Sequence, residues 1–116
     1  MQDDGRAMRT SKLGSIALRS AREGDVHVIE LTGELDLDGA PRLEEELRRV
    51  ESTDVPTIVV DLGSLDFIDS TGIRLLVMAA ERCAEGRFSL LRGPKQVHRV
   101  FEITDLADRL PFADEG

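Results

Sequence analysis

Residues 57–72 of this 116-residue chain read TIVVDLGSLDFIDSTG and are its most informative stretch. The run from Thr57 to Val60 is β-branched and lacks polar alternation, which is typical of a strand covered on both faces. Downstream, apolar residues recur at helical spacing and end before Gly86, a natural helix stop. These apolar residues are Ile73, Leu76, Val77, Ala80 and Ala84. The stretch therefore predicts a buried strand, a loop and a helix.

The segments on either side predict an alternation of strands and helices. Residues 15–18 and 26–35 read as two strands joined by a turn at Gly24-Asp25. A helix follows, with Asp38 as its candidate cap and Pro41 in its first turn. Residues 88–91 indicate a strand, residues 97–106 a third helix and residues 110–112 a short final strand. This order predicts a single α/β domain with a mixed sheet of about four to five strands, an N-terminal hairpin and helices packed mainly on one face.

Composition favours one soluble domain that binds other proteins. With 41% hydrophobic and 33% charged residues, we expect residues 13–116 to fold as one domain behind a flexible tail, residues 1–12. No apolar run approaches the ~20 residues of a membrane span, and the first residues do not resemble a secretory signal, so we expect a cytoplasmic protein. The formal net charge of −8 and the dispersed arginines argue against direct nucleic-acid binding.

Catalytic, metal and cofactor motifs are not evident in the sequence. Cys83 is the only cysteine, and the two histidines have no metal-ligand spacing, so we expect no metal site. His27 and His98 formally allow a hydrolytic triad with Ser70, but no G-x-S-x-G motif surrounds any serine. We expect both histidines to be exposed. No G-x-x-x-x-G-K-[ST] motif is present, and no cofactor is predicted.

Ser70 lies where the predicted helix begins. The first N–H groups of a helix lack internal partners and carry the positive end of its dipole, so they can receive an anion. In one interpretation, Asp69 or Ser70 simply caps the helix. In the other, the Ser70 hydroxyl faces solvent and is phosphorylated, which adds negative charge beside Asp69 and Asp66. The residues alone leave both interpretations open.

Several motifs in this chain, taken together, resemble the STAS family and its anti-sigma-factor antagonist branch. They are DFIDSTG at 66–72, IVVDL at 58–62, LTGELD at 31–36 and FEITDL at 101–106. The resemblance runs from about Ser15 to Phe112. It implies that Ser70, which follows the Asp of a D-S-[ST]-G motif, is phosphorylated by an anti-sigma factor serine kinase.

The resemblance also implies a partner switch. The unphosphorylated protein would bind the kinase and free a sigma factor, the phosphorylated protein would release the kinase, and a phosphatase would reset the switch. Nucleotide and Mg²⁺ would belong to the kinase. The family domain commonly ends in a further helix, which we expect to be missing or fragmentary here. STAS domains that bind a nucleotide or lipid, or that serve as subunits of sensory or transport assemblies, are the alternative.

Eight residues are predicted to form the partner-binding surface: Asp36, Asp69, Ser70, Thr71, Gly72, Arg74, Leu75 and Met78. Leu75 and Met78 lie opposite the apolar stripe of the helix, so we expect them to face away from the core. They would then either anchor a partner or pack under a neighbouring loop. Thr71 is expected to have a structural role. Where this chain has Arg74, many relatives have a small residue. The arginine would affect which partner binds, or would pair with a phosphate on Ser70. Asp36 and Asp61 either line the partner groove or hydrogen-bond a nearby loop.

Overall fold

The computed structural model describes residues 8–13 and 16–113, which form one mixed sheet and three helices. The sheet order is β1-β2-β3-β4-β5-β6; the first two pairings are antiparallel and the other three parallel. The elements in chain order are β1 (Met8–Leu13), β2 (Ile16–Glu23), β3 (Val26–Leu35), α1 (Ala40–Glu51), β4 (Thr57–Ile68), α2 (Ser70–Arg82), β5 (Phe88–Leu91), α3 (Lys95–Ile103) and β6 (Phe112–Ala113).

The predicted α/β class, mixed sheet and N-terminal hairpin are confirmed. The described part of the chain contains six strands rather than four to five, because residues 8–13 pair antiparallel with β2. Residues 8–12, which were expected to belong to a flexible tail, thus form most of β1. Their sequence has no strong apolar alternation, and the backbone of β2 provides the hydrogen bonds that make them a strand. Residues 1–7, 14, 15 and 114–116 of the predicted tail and domain lie outside the described residues.

A two-residue turn joins β2 to β3 and begins with Gly24, whose φ of 63° suits glycine. Glu23 pairs with Val26 across this turn, so β2 extends beyond the predicted residues 15–18. Alternate residues of both strands then face the same side of the sheet. His27 lies on that buried side, in register with the buried Ile29 and Leu31.

All three helices bury their apolar residues against one face of the sheet, as predicted. Ile58, Val60 and Leu62 form the buried row of β4, whereas Val59 on the opposite face is half-buried. The prediction that this strand is covered on both faces was wrong. The helices contribute the remainder of the core through Leu43, Leu47 and Val50 of α1, Ile73, Leu76 and Ala79 of α2, and Val97 and Phe101 of α3.

The central strand β4 continues through residues 61–68, where a loop was expected. Its pairing with β3 shifts twice, and each shift leaves one extra residue on β4. Such β-bulges break the alternation of side chains between the two faces. The buried positions therefore change from a spacing of two to a spacing of three, at Leu62, Leu65 and Ile68. Phe67, next to the last of these, faces solvent.

Two details of the helices differ from expectation. The N-cap of α1 is Gly39, without a side-chain cap, rather than Asp38. Asp36 binds this turn instead, because its Oδ1 accepts the N–H groups of Asp38 and Gly39. The third helix ends at Ile103, so the predicted continuation through residue 106 is a turn.

Candidate functional site

Asp69 and Ser70 divide the two roles that the sequence left open. Asp69 is the N-cap of α2, and its Oδ1 accepts the N–H groups of Thr71 at 3.0 Å and Gly72 at 3.1 Å. Ser70 is the first helical residue and is exposed, and within the described chain its hydroxyl makes no hydrogen bond. The cap is therefore made by the carboxylate, and the hydroxyl is accessible to another molecule. Two of the N–H groups expected to receive an anion are already engaged.

Gly72 allows α2 to pack closely on the ends of β3 and β4. A Cβ at this buried position would lie 2.7 Å from Cγ of Leu35 and 3.0 Å from Cγ1 of Ile68. These distances are too short for a side chain without a shift of α2. Gly72 was predicted as a partner-binding residue, but its burial gives it a packing role. Thr71 is half-buried, and its backbone N–H binds Asp69.

The parallel strands β3 and β4 end side by side beneath the start of α2. Leu35 pairs with Ile68, and its carbonyl accepts the N–H of Asp69 at 3.2 Å. The β3–α1 loop thus leaves the sheet beside Ser70. Asp36 stabilises this loop through its hydrogen bonds, and Asp61 likewise accepts the N–H of Gly63 at 2.8 Å. For both aspartates, the structure supports the predicted alternative of a hydrogen bond to nearby backbone.

Two exposed apolar side chains close to the start of α2 were not predicted. Leu37, in the β3–α1 loop, is 69% exposed, and Phe67, next to the end of β4, is 48% exposed. Each lies within three residues of the paired ends of β3 and β4. We call Leu37, Phe67, Ser70 and Arg74 the Ser70 surface. Phe67 was missed because residues 61–68 were expected to form a loop, so its side chain was assigned to no face of the sheet.

Leu75 does not belong to this surface. It is 8% exposed and part of the core, so the expectation that it faces away from the core was wrong. Met78 is 47% exposed, as expected. The buried arc of α2 is wider than one stripe because α1 covers a second side of it. Arg82, two turns beyond Leu75 on the same face, shows this contact through bonds of 2.9 and 2.8 Å to Glu51 of α1.

Arg74 is exposed and, among the described residues, forms no ion pair. It lies four residues after Ser70, so both side chains project from the same face of α2. The surroundings are acidic: Glu34, Asp38 and Asp66 are exposed near the ends of β3 and β4. Arg74 is thus a cation close to Ser70 within a field of carboxylates.

Both histidines are buried, which corrects the expectation that they are exposed. His27 points to the core face of β3, where Nε2 forms a 2.6 Å hydrogen bond with Oγ of Ser20. Burial, reinforced by the nearby Arg49 guanidinium, lowers the pKa of His27 below its usual 6.5. His98 packs edge-on against Phe112. Neither histidine hydrogen-bonds Ser70.

Cys83 ends α2 half-buried, and burial raises the pKa of its thiol. Across residues 8–13 and 16–113, no three histidine, cysteine, aspartate or glutamate side chains cluster as metal ligands would. None of the helices in the same ranges is long and apolar enough to cross a membrane.

Comparison with known proteins identifies the family of this domain. A family model described as "Mlab, STAS domain" matches residues 18–111, which include every element from β3 to α3. The chain belongs to the STAS domain family. This STAS domain is 31% identical over 93 residues to the anti-sigma-F factor antagonist RsfB of Mycobacterium tuberculosis, covering 79% of this chain and 76% of RsfB.

Two solved structures resemble the STAS domain closely. One is an anti-sigma factor antagonist from Mycobacterium paratuberculosis, with a TM-score of 0.78 and 26% identity over 84% of this chain and 85% of the other. The second is the anti-sigma factor antagonist SpoIIAA in its unphosphorylated form, with a TM-score of 0.62 and 25% identity over 94% and 90% of the two chains. RsfB and both of these solved proteins are named anti-sigma factor antagonists.

Proposed function

We propose that this STAS domain is a non-enzymatic anti-sigma-factor antagonist whose binding to an anti-sigma factor serine kinase is controlled by phosphorylation of Ser70. Unphosphorylated, it binds the kinase and thereby releases a sigma factor. The observation that carries the proposal is the Ser70 hydroxyl: it is exposed and has no hydrogen bond within the described chain, because Asp69 already caps the helix. The similarity to RsfB supports the same role.

The apolar part of the Ser70 surface suits a partner that docks against neutral serine. Leu37 and Phe67 expose apolar area near the paired strand ends from which α2 begins. Burial of such side chains in an interface removes apolar surface from water, which favours binding. Phenylalanine and other aromatic residues are also enriched at the cores of interfaces. We therefore assign Leu37 and Phe67 as the principal anchors, with Met78, about two turns along α2, as a peripheral contact.

Phosphorylation would reverse this preference at the same place. A phosphoserine adds about 1.5 to 2 negative charges, next to Asp69 and near Asp66. A partner that docks on these apolar anchors would then have to desolvate that charge. Arg74 can pair with the phosphate within the domain, because it lies one turn away on the same face. The Ser70 side chain supports no other part of the fold, so the modification changes binding without unfolding the domain.

The cycle requires two further partners. A phosphatase would act on phosphorylated Ser70 and restore the binding form. The kinase would supply nucleotide and Mg²⁺, so this chain needs no cofactor of its own. Because sigma factors act on transcription, we place the cycle in the cytoplasm.

Phosphorylation by the cognate kinase tests the assignment. Incubation with the kinase and ATP should add one phosphate, measured by intact mass spectrometry, and Ser70→Ala should abolish it. Thr71→Val and Ser64→Ala are matched controls, because they remove neighbouring hydroxyls and should be labelled like the native chain. Labelling that persists in Ser70→Ala would refute the assignment.

A further inference from the structure

A second candidate site lies at the start of α3, away from the Ser70 surface. An open groove of about 620 Å³ borders the first turns of this helix and is lined in part by Arg92, Lys95, His98, Arg99 and Glu102. Small-molecule sites have volumes of about 300–1,000 Å³. The groove is therefore large enough for a small ligand.

The backbone at this helix start presents free donors. The N-cap is Pro94, which makes no side-chain cap, and its carbonyl accepts the N–H groups of Val97 and His98. The N–H groups of Lys95 and Gln96 precede these bonds and have no partner within the described residues. At α2, in contrast, the carboxylate of Asp69 accepts the N–H groups of the second and third helical residues, Thr71 and Gly72. The start of α3 is thus an unfilled site for an anion.

His98 provides an independent observation at the same groove. Its side chain lines the groove although the residue is only 7% exposed. Nδ1 is buried and has no hydrogen-bond partner among the described residues, while Nε2 lies 4.0 Å from Oε2 of Glu102. A buried polar atom without a partner is uncommon in folded proteins, and a bound water or ion is a frequent explanation. The groove therefore contains an unmet polar group as well as free N–H donors.

The side chains around the groove are predominantly cationic. Arg92, Lys95 and Arg99 are exposed, and none of them forms an ion pair with another described residue. Glu102 is the only carboxylate in the lining. Three unpaired cations in one groove contrast with a chain whose formal net charge is −8. The local field thus favours a multiply charged anion.

We propose that this groove binds the phosphate group of a small molecule. Two guanidinium groups, an ammonium group and two backbone N–H groups supply more donors than a single carboxylate uses, and they match a phosphate with several acceptor oxygens. His98 lines the edge of the site. The site is formed by α3 and the residue segment before it, so it is independent of Ser70 and of the partner switch.

An NMR titration with inorganic phosphate, adenosine 5′-monophosphate and adenosine tests the proposal on the full chain. Both phosphate compounds should produce saturable shifts of the Lys95 and Gln96 amide signals, and adenosine should produce none. Arg92→Gln and Arg99→Gln should each raise the Kd for the monophosphate about fivefold, as expected for loss of one charge-assisted hydrogen bond. Arg109→Gln is the control, because Arg109 is exposed, does not line the groove and forms no ion pair with another described residue, so the Kd should be unchanged.

His98→Phe distinguishes a role of the buried Nδ1 atom from a role of the ring in packing, because phenylalanine retains an aromatic ring against Phe101 and Phe112. This variant should keep the melting temperature within a few degrees and weaken the Kd severalfold. Non-saturable or absent shifts at Lys95 and Gln96 would overturn the proposal. So would adenosine binding as tightly as its monophosphate, or an unchanged Kd in both arginine variants that remain folded.

Discussion

Truncation of Leu75 should destabilise the domain severely, whereas truncation of Met78, one turn away on α2, should not. Leu75 is 8% exposed and Met78 47% exposed. Leu75→Ala removes about three buried methyl or methylene groups, at about 0.8 kcal/mol each. With the cavity that remains, we expect a loss of about 2–4 kcal/mol. Met78→Ala, at a half-exposed position, should cost less than about 1 kcal/mol.

Urea unfolding followed by far-UV circular dichroism measures both variants, because the chain has no tryptophan or tyrosine for intrinsic fluorescence. With a slope of about 1.5 kcal/mol per M, the midpoint of Leu75→Ala should fall by about 1.5–2.5 M at an unchanged slope. The midpoint of Met78→Ala should fall by less than about 0.7 M. Equal, small shifts in the two variants would refute the inference that α1 widens the buried arc of α2.

Three further predictions follow from the contacts around α1, α2 and β3. The pKa of His27 is lowered in the folded state, so the folded chain binds this proton more weakly than the unfolded chain. The contribution of neutral His27 to folding stability is therefore present above pH 6.5 and lost as pH falls below 6.5. His27→Gln should reduce the loss of stability between pH 7.5 and 5.5 in urea titrations. Asp69→Ala should cost about 1–2 kcal/mol through loss of two cap hydrogen bonds, and Asp69→Asn much less, by the same assay. Leu37→Ala and Phe67→Ala should each weaken kinase binding at least about tenfold in isothermal titration calorimetry, with unfolding midpoints near the native value.

The sequence predicted the order of elements and the position of Ser70, because these depend on local patterns. Apolar spacing identifies α2, and the Asp69-Ser70 pair marks its start. The sequence limited the candidates for the N-cap of α2 to Asp69 and Ser70, and only the structure shows that the carboxylate of Asp69 caps the helix. The hydroxyl is exposed for that reason, so the two interpretations of this pair turn out to be compatible.

Features that depend on tertiary contacts were beyond the sequence pattern. Leu75 is buried by α1, a helix whose placement a helical wheel does not contain. Leu65 is buried because β4 is bulged, and bulges follow from the pairing with β3 rather than from the residues of β4 alone. His27 looked like an exposed strand residue, but the register of the hairpin places it beside Ser20 in the core. In each case a neighbouring element determines the environment.

The most direct test of the partner switch is the affinity of the cognate anti-sigma factor kinase for two forms of this chain, unphosphorylated and fully phosphorylated at Ser70. Calorimetry should show a Kd at least about 100-fold weaker for the phosphorylated form, because like charges and desolvation at an interface cost several kcal/mol. Ser70→Ala should bind like the unphosphorylated chain, and circular dichroism should show that all three forms are folded. Equal affinity of the kinase for both forms would contradict the account.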